Sequence, residues 1–168
     1  MRTLSQIPSG SKVFVDANIF VYHFGSDGDI SDACTEFLLR VEEREVEAST
    51  STIILSEVLH RLMIVEAVEK YRLPLRGIVR YLKEHPDVVM TLEKYSVAPE
   101  KIRQMSVAIS AIMIQDLLDS KGVRDSYGLL TNDSTSVSIM KRFGIADIAT
   151  NDSDFERVNG LRVWKPLA

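Results

Sequence analysis

Lys12-Val13-Phe14-Val15-Asp16-Ala17-Asn18 is the stretch of sequence from which the fold follows. Its residues 13–15 are apolar and β-branched or aromatic, which is typical of a short strand buried on both faces of a parallel sheet. The run ends in the carboxylate of Asp16, and a short helix is predicted directly after it, over 17–24. In open α/β sheets the ligand crevice lies beyond the carboxyl ends of the strands, so Asp16 is expected either to cap this helix or to bind a positively charged group.

Length, composition and charge are those of an ordinary globular protein. With 168 residues, 45% of them hydrophobic and 26% charged, residues 1–168 are expected to form a single domain with a substantial core. The net charge of −4 does not indicate nucleic-acid binding by bulk electrostatics. The single cysteine, Cys34, excludes an internal disulfide. Because no membrane-length apolar run and no signal-peptide pattern is found, we expect a cytoplasmic protein without membrane contact.

Strands and helices alternate along the rest of the chain. Beyond the first strand, the residue pattern predicts strands near 46–49, 146–150 and 161–164, and helices over 32–44, 52–71, 75–84, 87–97, 100–119 and 134–142. Residues 1–11 are expected to be a loose lead-in, and 119–127 a polar loop. This alternation predicts an α/β fold, a three-layer α/β/α arrangement around a central, mostly parallel sheet.

Several acidic residues are expected to reach the same place as Asp16. Asp152 follows a predicted strand with Asp154 two residues later, Asp133 stands where an apolar run meets a helix, and Glu57 lies near the start of an apolar helix. Crowded carboxylates repel one another unless a cation binds them, and Mg²⁺ or Mn²⁺ prefers such oxygen ligands. Taken singly, each acid is better explained as a cap or turn former, and only the ordered set favours a metal site.

Four segments of the sequence resemble the motifs of PIN-domain proteins, and the chain is similar to the VapC-type toxin ribonucleases. The segments are Val13-Phe14-Val15-Asp16-Ala17-Asn18, Ser56-Glu57-Val58-Leu59, Asn132-Asp133 and Ala149-Thr150-Asn151-Asp152-Ser153-Asp154-Phe155. The first and last are fairly specific, whereas the middle two gain meaning from their order and placement. The resemblance covers nearly the whole chain.

The resemblance implies a sheet of about five parallel strands and an acidic pocket that binds Mg²⁺ or Mn²⁺ and hydrolyses single-stranded RNA. Carried over by position, the catalytic and metal-binding acids would be Asp16, Glu57, Asp133 and Asp152, with Asp154 as an auxiliary metal-binding acid. Asn18 and Thr150 would orient Asp16 and Asp152. For a member of a toxin pair, an antitoxin protein would be the partner, and homodimers are common among the proteins that this chain resembles.

Three alternatives stay open at the level of sequence. The region between Glu57 and Asp133 is longer than in the compact toxins, and it is expected to form an extended helical region at about 73–99. Because of this extra length, the first alternative is a PIN nuclease that acts in RNA processing instead of a toxin. A catalytically silent PIN-like module that binds RNA or a protein is the second alternative. The third is a phosphotransfer domain with Asp16 as nucleophile, which usually needs a lysine near a later strand end that this sequence does not provide.

Basic residues concentrate in the middle of the chain. Residues 61–103 carry nine basic and six acidic residues, and Arg76 and Arg80 within them are spaced to share one face of a predicted helix. We expect this face either to contact the phosphates of single-stranded or structured RNA or to be an ordinary solvated surface. Arg61, four residues after Glu57, is expected either to pair with that carboxylate or to reach a phosphate.

Overall fold

A computed structural model describes residues 2–167, which form a five-stranded, fully parallel sheet with the strand order β3-β2-β1-β4-β5. The strands are β1 (Lys12–Val15), β2 (Glu47–Ser51), β3 (Ala108–Ser110), β4 (Asp147–Ala149) and β5 (Arg162–Trp164). The helices are α1 (Ala17–Gly25), α2 (Asp29–Glu42), α3 (Thr52–Tyr71), α4 (Ile78–Glu84), α5 (Pro86–Val89), α6 (Ala98–Gln104), α7 (Ile114–Tyr127) and α8 (Thr131–Phe143). The predicted three-layer α/β/α fold is confirmed.

The first stretch of sequence forms the middle of this sheet. Val13, Phe14 and Val15 are at most 1% exposed, because β2 and β4 flank β1 on either side. The chain passes from β1 to β2 in one direction, whereas β4 lies on the other side of β1. The carboxyl ends of β1 and β4 therefore form the point where the strand order reverses, which is where open α/β sheets place their crevice.

The structure differs from the sequence-based expectation between residues 100 and 127. The helix expected over 100–119 is wrong, since α6 ends at Gln104 and the edge strand β3 intervenes before α7 begins. Ser106 adopts a left-handed conformation with φ of 63°, which ends the helical path. The polar loop expected over 119–127 is also wrong, because α7 runs through Gly122 to a left-handed Gly128.

The segment 73–99 contributes a small apolar cluster of its own. The helices α4 and α5 and a 3₁₀ turn at Lys94–Val97 occupy this segment. Their apolar side chains pack on the second half of α3, in a cluster formed by Ala67, Ile78, Leu82, Val88 and Leu92. The buried carboxylate of Glu66 fixes the far end of the segment by accepting hydrogen bonds from the backbone N–H groups of Glu93, at 2.9 Å, and Tyr95, at 3.0 Å. The division into one domain with a helical extension stays a prediction.

Two further expectations require correction. Arg76 lies outside α4, because a left-handed Gly77 with φ of 81° starts that helix, so Arg76 and Arg80 do not share a helix face. The lead-in over residues 2–11 is not loose, since Leu4 and Ile7 are buried and the backbone carbonyls of both accept hydrogen bonds from Arg40. Met1 lies outside the described residues.

None of the helices in residues 2–167 has the length and apolarity that crossing a bilayer requires.

Candidate active site

An open cleft of about 740 Å³ lies beyond the carboxyl ends of β1 and β4. Its lining includes the four predicted acids Asp16, Glu57, Asp133 and Asp152, which come from four separate parts of the chain. Asn18 and Arg61 also line it, whereas Asp154, Arg76 and Arg80 do not. Asp154 pairs with Arg157 at 2.5 Å, and Arg80 pairs with Glu84 at 2.9 Å.

Asp16 both caps α1 and faces the cleft. One carboxylate oxygen accepts the backbone N–H of Ala17 at 2.8 Å. The other accepts the amide of Asn18 at 2.5 Å and the hydroxyl of Thr150 at 2.7 Å. With 8% of its surface exposed, this carboxylate is held in one orientation by three donors. Such fixed orientation is what a ligand-binding or catalytic carboxylate needs.

The hydroxyl of Thr150 links the residues that follow β1 to those that follow β4. It donates to Asp16 and accepts hydrogen bonds from the amide of Asn18 at 2.9 Å and from the backbone N–H of Asp152 at 3.0 Å. A threonine hydroxyl has one donor and two acceptor positions, so its hydrogen-bonding capacity is filled. Asn18 adds a second link, because its side-chain oxygen accepts the backbone N–H of Asn151 at 3.0 Å. Asn18 and Thr150 thus lie where an orienting role requires them.

Asp133 shows that the acids are close enough to repel one another. It lies in the first turn of α8, and its pKa is raised from 3.8 to about 6, first by burial and then by the negative charges of Asp16, Asp152, Glu57 and Asp154. Each of these charges disfavours ionisation of the carboxyl group. Asp133 therefore belongs to the same electrostatic group as the other acids of the cleft, although its surroundings in sequence are polar.

The pKa of Asp16 is raised in a similar way. Its pKa rises from 3.8 to about 6 as the net effect of several causes, of which burial is the largest. The hydrogen bonds from Thr150 and Ala17 lower the pKa, the charge of Glu57 raises it, and the charge of Arg61 lowers it. Two carboxylates with raised pKa values in one cleft are a common property of functional sites.

Glu57 and Arg61 lie on the same side of α3, at the edge of the cleft. The guanidinium Nη1 of Arg61 is 3.5 Å from Oε1 of Glu57. The side chain of Arg61 is 44% exposed and that of Glu57 is 30% exposed. The helix α3 begins directly after β2, so its first turns project over the carboxyl end of the sheet. The position expected for Glu57 and the ion pair considered for Arg61 are both present.

The donor set of the cleft fits a hard divalent cation. Within residues 2–167, no three His, Cys, Asp or Glu side chains stand close enough together to hold one ion directly. Mg²⁺ usually keeps several waters and takes only one or two carboxylates directly, so a wider group of acids still suits it. The residues that line the cleft supply carboxylate and amide oxygens but neither His nor Cys, which disfavours softer metals.

The sequence did not reveal all of the cleft. Tyr22 is half-buried, lines the cleft and accepts a hydrogen bond from the Asn151 amide at 3.2 Å. Its spacing of four residues from Asn18 on α1 was the available signal. Leu130, 74% exposed at the mouth of the cleft, carried no such signal. Trp164 is buried and donates to Asp147, as a core residue would.

The sequence profile of the PIN domain matches residues 13–161, so the chain belongs to this family. The chain is also similar to two ribonucleases of Methanocaldococcus jannaschii. Ribonuclease VapC2 is 25% identical over 162 residues, which cover 91% of this chain and 93% of that relative. Ribonuclease VapC6 is 25% identical over 165 residues, which cover 94% and 99%.

Solved structures share the fold at low sequence identity. VapC20 of Mycobacterium tuberculosis, described as a sarcin–ricin loop cleaving toxin, has a TM-score of 0.58 and 14% identity, covering 86% of this chain and 92% of that one. A toxin–antitoxin complex from Klebsiella pneumoniae has a TM-score of 0.56 and 15% identity, with 92% and 98% covered. VapBC2 from Rickettsia felis, bound to a promoter DNA fragment, has a TM-score of 0.55 and 16% identity, with 92% and 98% covered.

Replacing Asp133 with asparagine is expected to stabilise the cation-free protein at neutral pH. Because the pKa of Asp133 is about 6 when folded, against an ordinary 3.8, the folded state binds the proton more tightly. Stability is therefore lost as the pH rises through this window. Discounted for partial exposure, the shift predicts a gain of about 1–2 kcal/mol for D133N at neutral pH and almost none near pH 4. Urea unfolding across this pH range in chelator measures it.

The exposed Asp27→Asn exchange is the matched control for D133N, since it removes the same charge outside the cleft. If wild type and D133N follow the same pH dependence, burial and the neighbouring acids do not raise the pKa of Asp133 as described.

Thr150→Val is expected to destabilise the fold, and Thr150→Ser to retain most of its stability. Valine keeps the shape but removes the hydroxyl, which leaves the N–H of Asp152 without its acceptor and Asp16 with one donor fewer. An unpaired buried polar group costs about 1–3 kcal/mol. Chemical denaturation of both variants at neutral pH tests this, and equal losses would show that the methyl group matters more than the hydroxyl.

Proposed function

We propose that this protein is a divalent-metal-dependent endoribonuclease that hydrolyses phosphodiester bonds of single-stranded RNA. The observation that carries the proposal is the meeting of Asp16, Glu57, Asp133 and Asp152 in one cleft at the strand-order reversal. The raised pKa values of Asp16 and Asp133 support it, because burial first and the charges of neighbouring acids second disfavour their ionised forms, a cost that a bound cation would reduce. The two relatives named as ribonucleases support RNA as the substrate.

The four acids would hold Mg²⁺ or Mn²⁺, with Asp154 as an auxiliary acid that would first have to leave Arg157. When bound, such an ion would supply activation of an attacking water and stabilisation of the leaving oxygen of a phosphodiester. Asn18 and Thr150 keep the carboxylate of Asp16 aimed into the cleft, and the backbone N–H that Asp152 donates to Thr150 places the second acid beside it. The chain thus supplies a pre-oriented set of oxygens rather than a side-chain nucleophile.

An antitoxin protein is the proposed partner. Two of the similar structures are described as a toxin–antitoxin complex and as VapBC2 on promoter DNA. A homodimer stays a prediction. A role in RNA processing without an antitoxin is the alternative, and co-purification of a small protein with this chain from its own cells would distinguish the two.

Asp16→Asn and Asp152→Asn are each expected to lower Mn²⁺-dependent cleavage of a mixed single-stranded RNA pool by at least about a hundredfold, because each removes a charged ligand. Asp27→Asn, an exposed aspartate outside the cleft, is the matched control and is expected to cleave like the wild type. A wild type that cuts no RNA at any Mn²⁺ concentration would overturn the proposal in favour of a silent binding module. Cleavage that survives both cleft exchanges would overturn the assignment of catalysis to this cleft.

Arg76 and Arg80 remain proposed RNA contacts outside the cleft. If they bind phosphates, the double exchange to glutamine weakens RNA binding and lowers the slope of log affinity against log salt by about one to two. Fluorescence anisotropy with a labelled RNA over a salt series measures both quantities. Unchanged affinity and slope would restrict RNA contacts to the cleft and its immediate rim.

A further inference from the structure

We propose that Arg61 binds the substrate phosphate, and that Arg61 stays in an ion pair with Glu57 until a divalent cation binds the Glu57 carboxylate. This inference rests on the proposed function and adds a coupling between cation binding and RNA binding. Arg61 would thus have both of the roles that the sequence leaves open: it pairs with Glu57 before a cation binds, and it contacts a phosphate afterwards.

When no cation is bound, the net negative charge of the cleft repels a phosphate. Among the described residues that line it, four are acidic and Arg61 alone is basic. The positive charge of Arg61 offsets part of this negative charge. Its Nη1 lies 3.5 Å from Oε1 of Glu57, and its charge lowers the pKa of Asp16. A phosphodiester entering the cation-free cleft would meet more negative than positive charge.

The pair between Arg61 and Glu57 is loose enough to exchange. Its nearest nitrogen and oxygen are 3.5 Å apart, and both side chains are partly exposed. Helix-surface pairs of this spacing are among the weakest ion pairs in proteins. A guanidinium also has five N–H donors in a planar fork that matches a phosphate, whereas Glu57 engages one of its terminal nitrogens.

Exchange requires no movement of the backbone. Glu57 and Arg61 project from adjacent turns of α3, a regular helix of 20 residues. If Glu57 held a cation, its carboxylate would attract the guanidinium of Arg61 less, and the cleft would repel a phosphate less. A rotation of the Arg61 side chain is then sufficient to present its fork to a phosphate that lies in the cleft.

The proposal predicts effects of opposite sign on the two ligands. Arg61→Gln removes a positive charge from the cation site, so Mg²⁺ should bind more tightly in the absence of RNA. The same exchange removes the phosphate contact, so an oligonucleotide should bind about tenfold more weakly in the presence of Mg²⁺. A residue that only maintained the structure of the cleft would weaken both ligands when replaced.

A double-mutant cycle on the full chain measures the exchange directly. The probe is a labelled 2′-O-methyl, phosphorothioate-linked single strand, confirmed intact by electrophoresis, with affinity read by anisotropy in chelator. Glu57→Gln frees Arg61 without a cation and should raise oligonucleotide affinity about tenfold, whereas in the Arg61→Gln background the gain should be much smaller. Calorimetry with Mg²⁺ alone supplies the cation affinities. Arg103→Gln, which breaks another pair of an exposed arginine with an acid one turn earlier, is the matched control.

Equal gains from Glu57→Gln in both backgrounds, or weaker Mg²⁺ binding by Arg61→Gln, would overturn the exchange. That result is separable from failure of the proposed function, which is the absence of Mn²⁺-dependent cleavage by the wild type. A wild type that cleaves but shows no coupling in the cycle would retain the nuclease and exclude the role proposed for the ion pair of Arg61 with Glu57.

Discussion

The repulsion among carboxylates at the carboxyl ends of β1 and β4 is the constraint on which the rest of the structure depends. Folding brings Asp16 and Asp152 to adjacent strand ends, and the first turns of α3 and α8 add Glu57 and Asp133. A fold that places four acids together loses stability unless they are protonated, hydrogen-bonded or bound to a cation. The chain uses the second of these for Asp16, whose oxygens accept three hydrogen bonds from neighbouring groups.

The hydrogen bonds around Thr150 link this electrostatic constraint to the sheet. Because β1 and β4 are adjacent and in register, a side chain just past β4 reaches Asp16 just past β1. The same hydroxyl accepts a hydrogen bond from the backbone N–H of Asp152, so the two acids are positioned relative to each other through one oxygen atom. The relative position of Asp16 and Asp152 therefore derives from the pairing of β1 with β4.

The parts of the molecule that the sequence predicts are those encoded by contiguous patterns. Val13 to Val15 form an apolar run that is typical of a central strand, and the order of the acids, together with the resemblance of their motifs, predicts that they share one crevice. The strand β3 could not be recognised, because three residues carry no period, and the apolar spacing around Ala108 also fits a helix. Tyr22 and Leu130 were not identified because their exposure depends on which neighbours pack beside them, and this is determined by tertiary structure.

The carboxylate of Glu66 has a consequence for how the molecule opens. Burial alone would raise its pKa, but hydrogen bonds from the backbone N–H groups of residues 93–95 outweigh burial and hold the pKa below its usual range. Its contribution to stability is therefore present at neutral pH and disappears as acid protonates the group. The apolar cluster behind it is separate from the main core, so acidification would weaken the attachment of the 73–99 segment to α3 through the loss of these hydrogen bonds. Low pH would therefore loosen this segment through a carboxylate that lies outside the cleft.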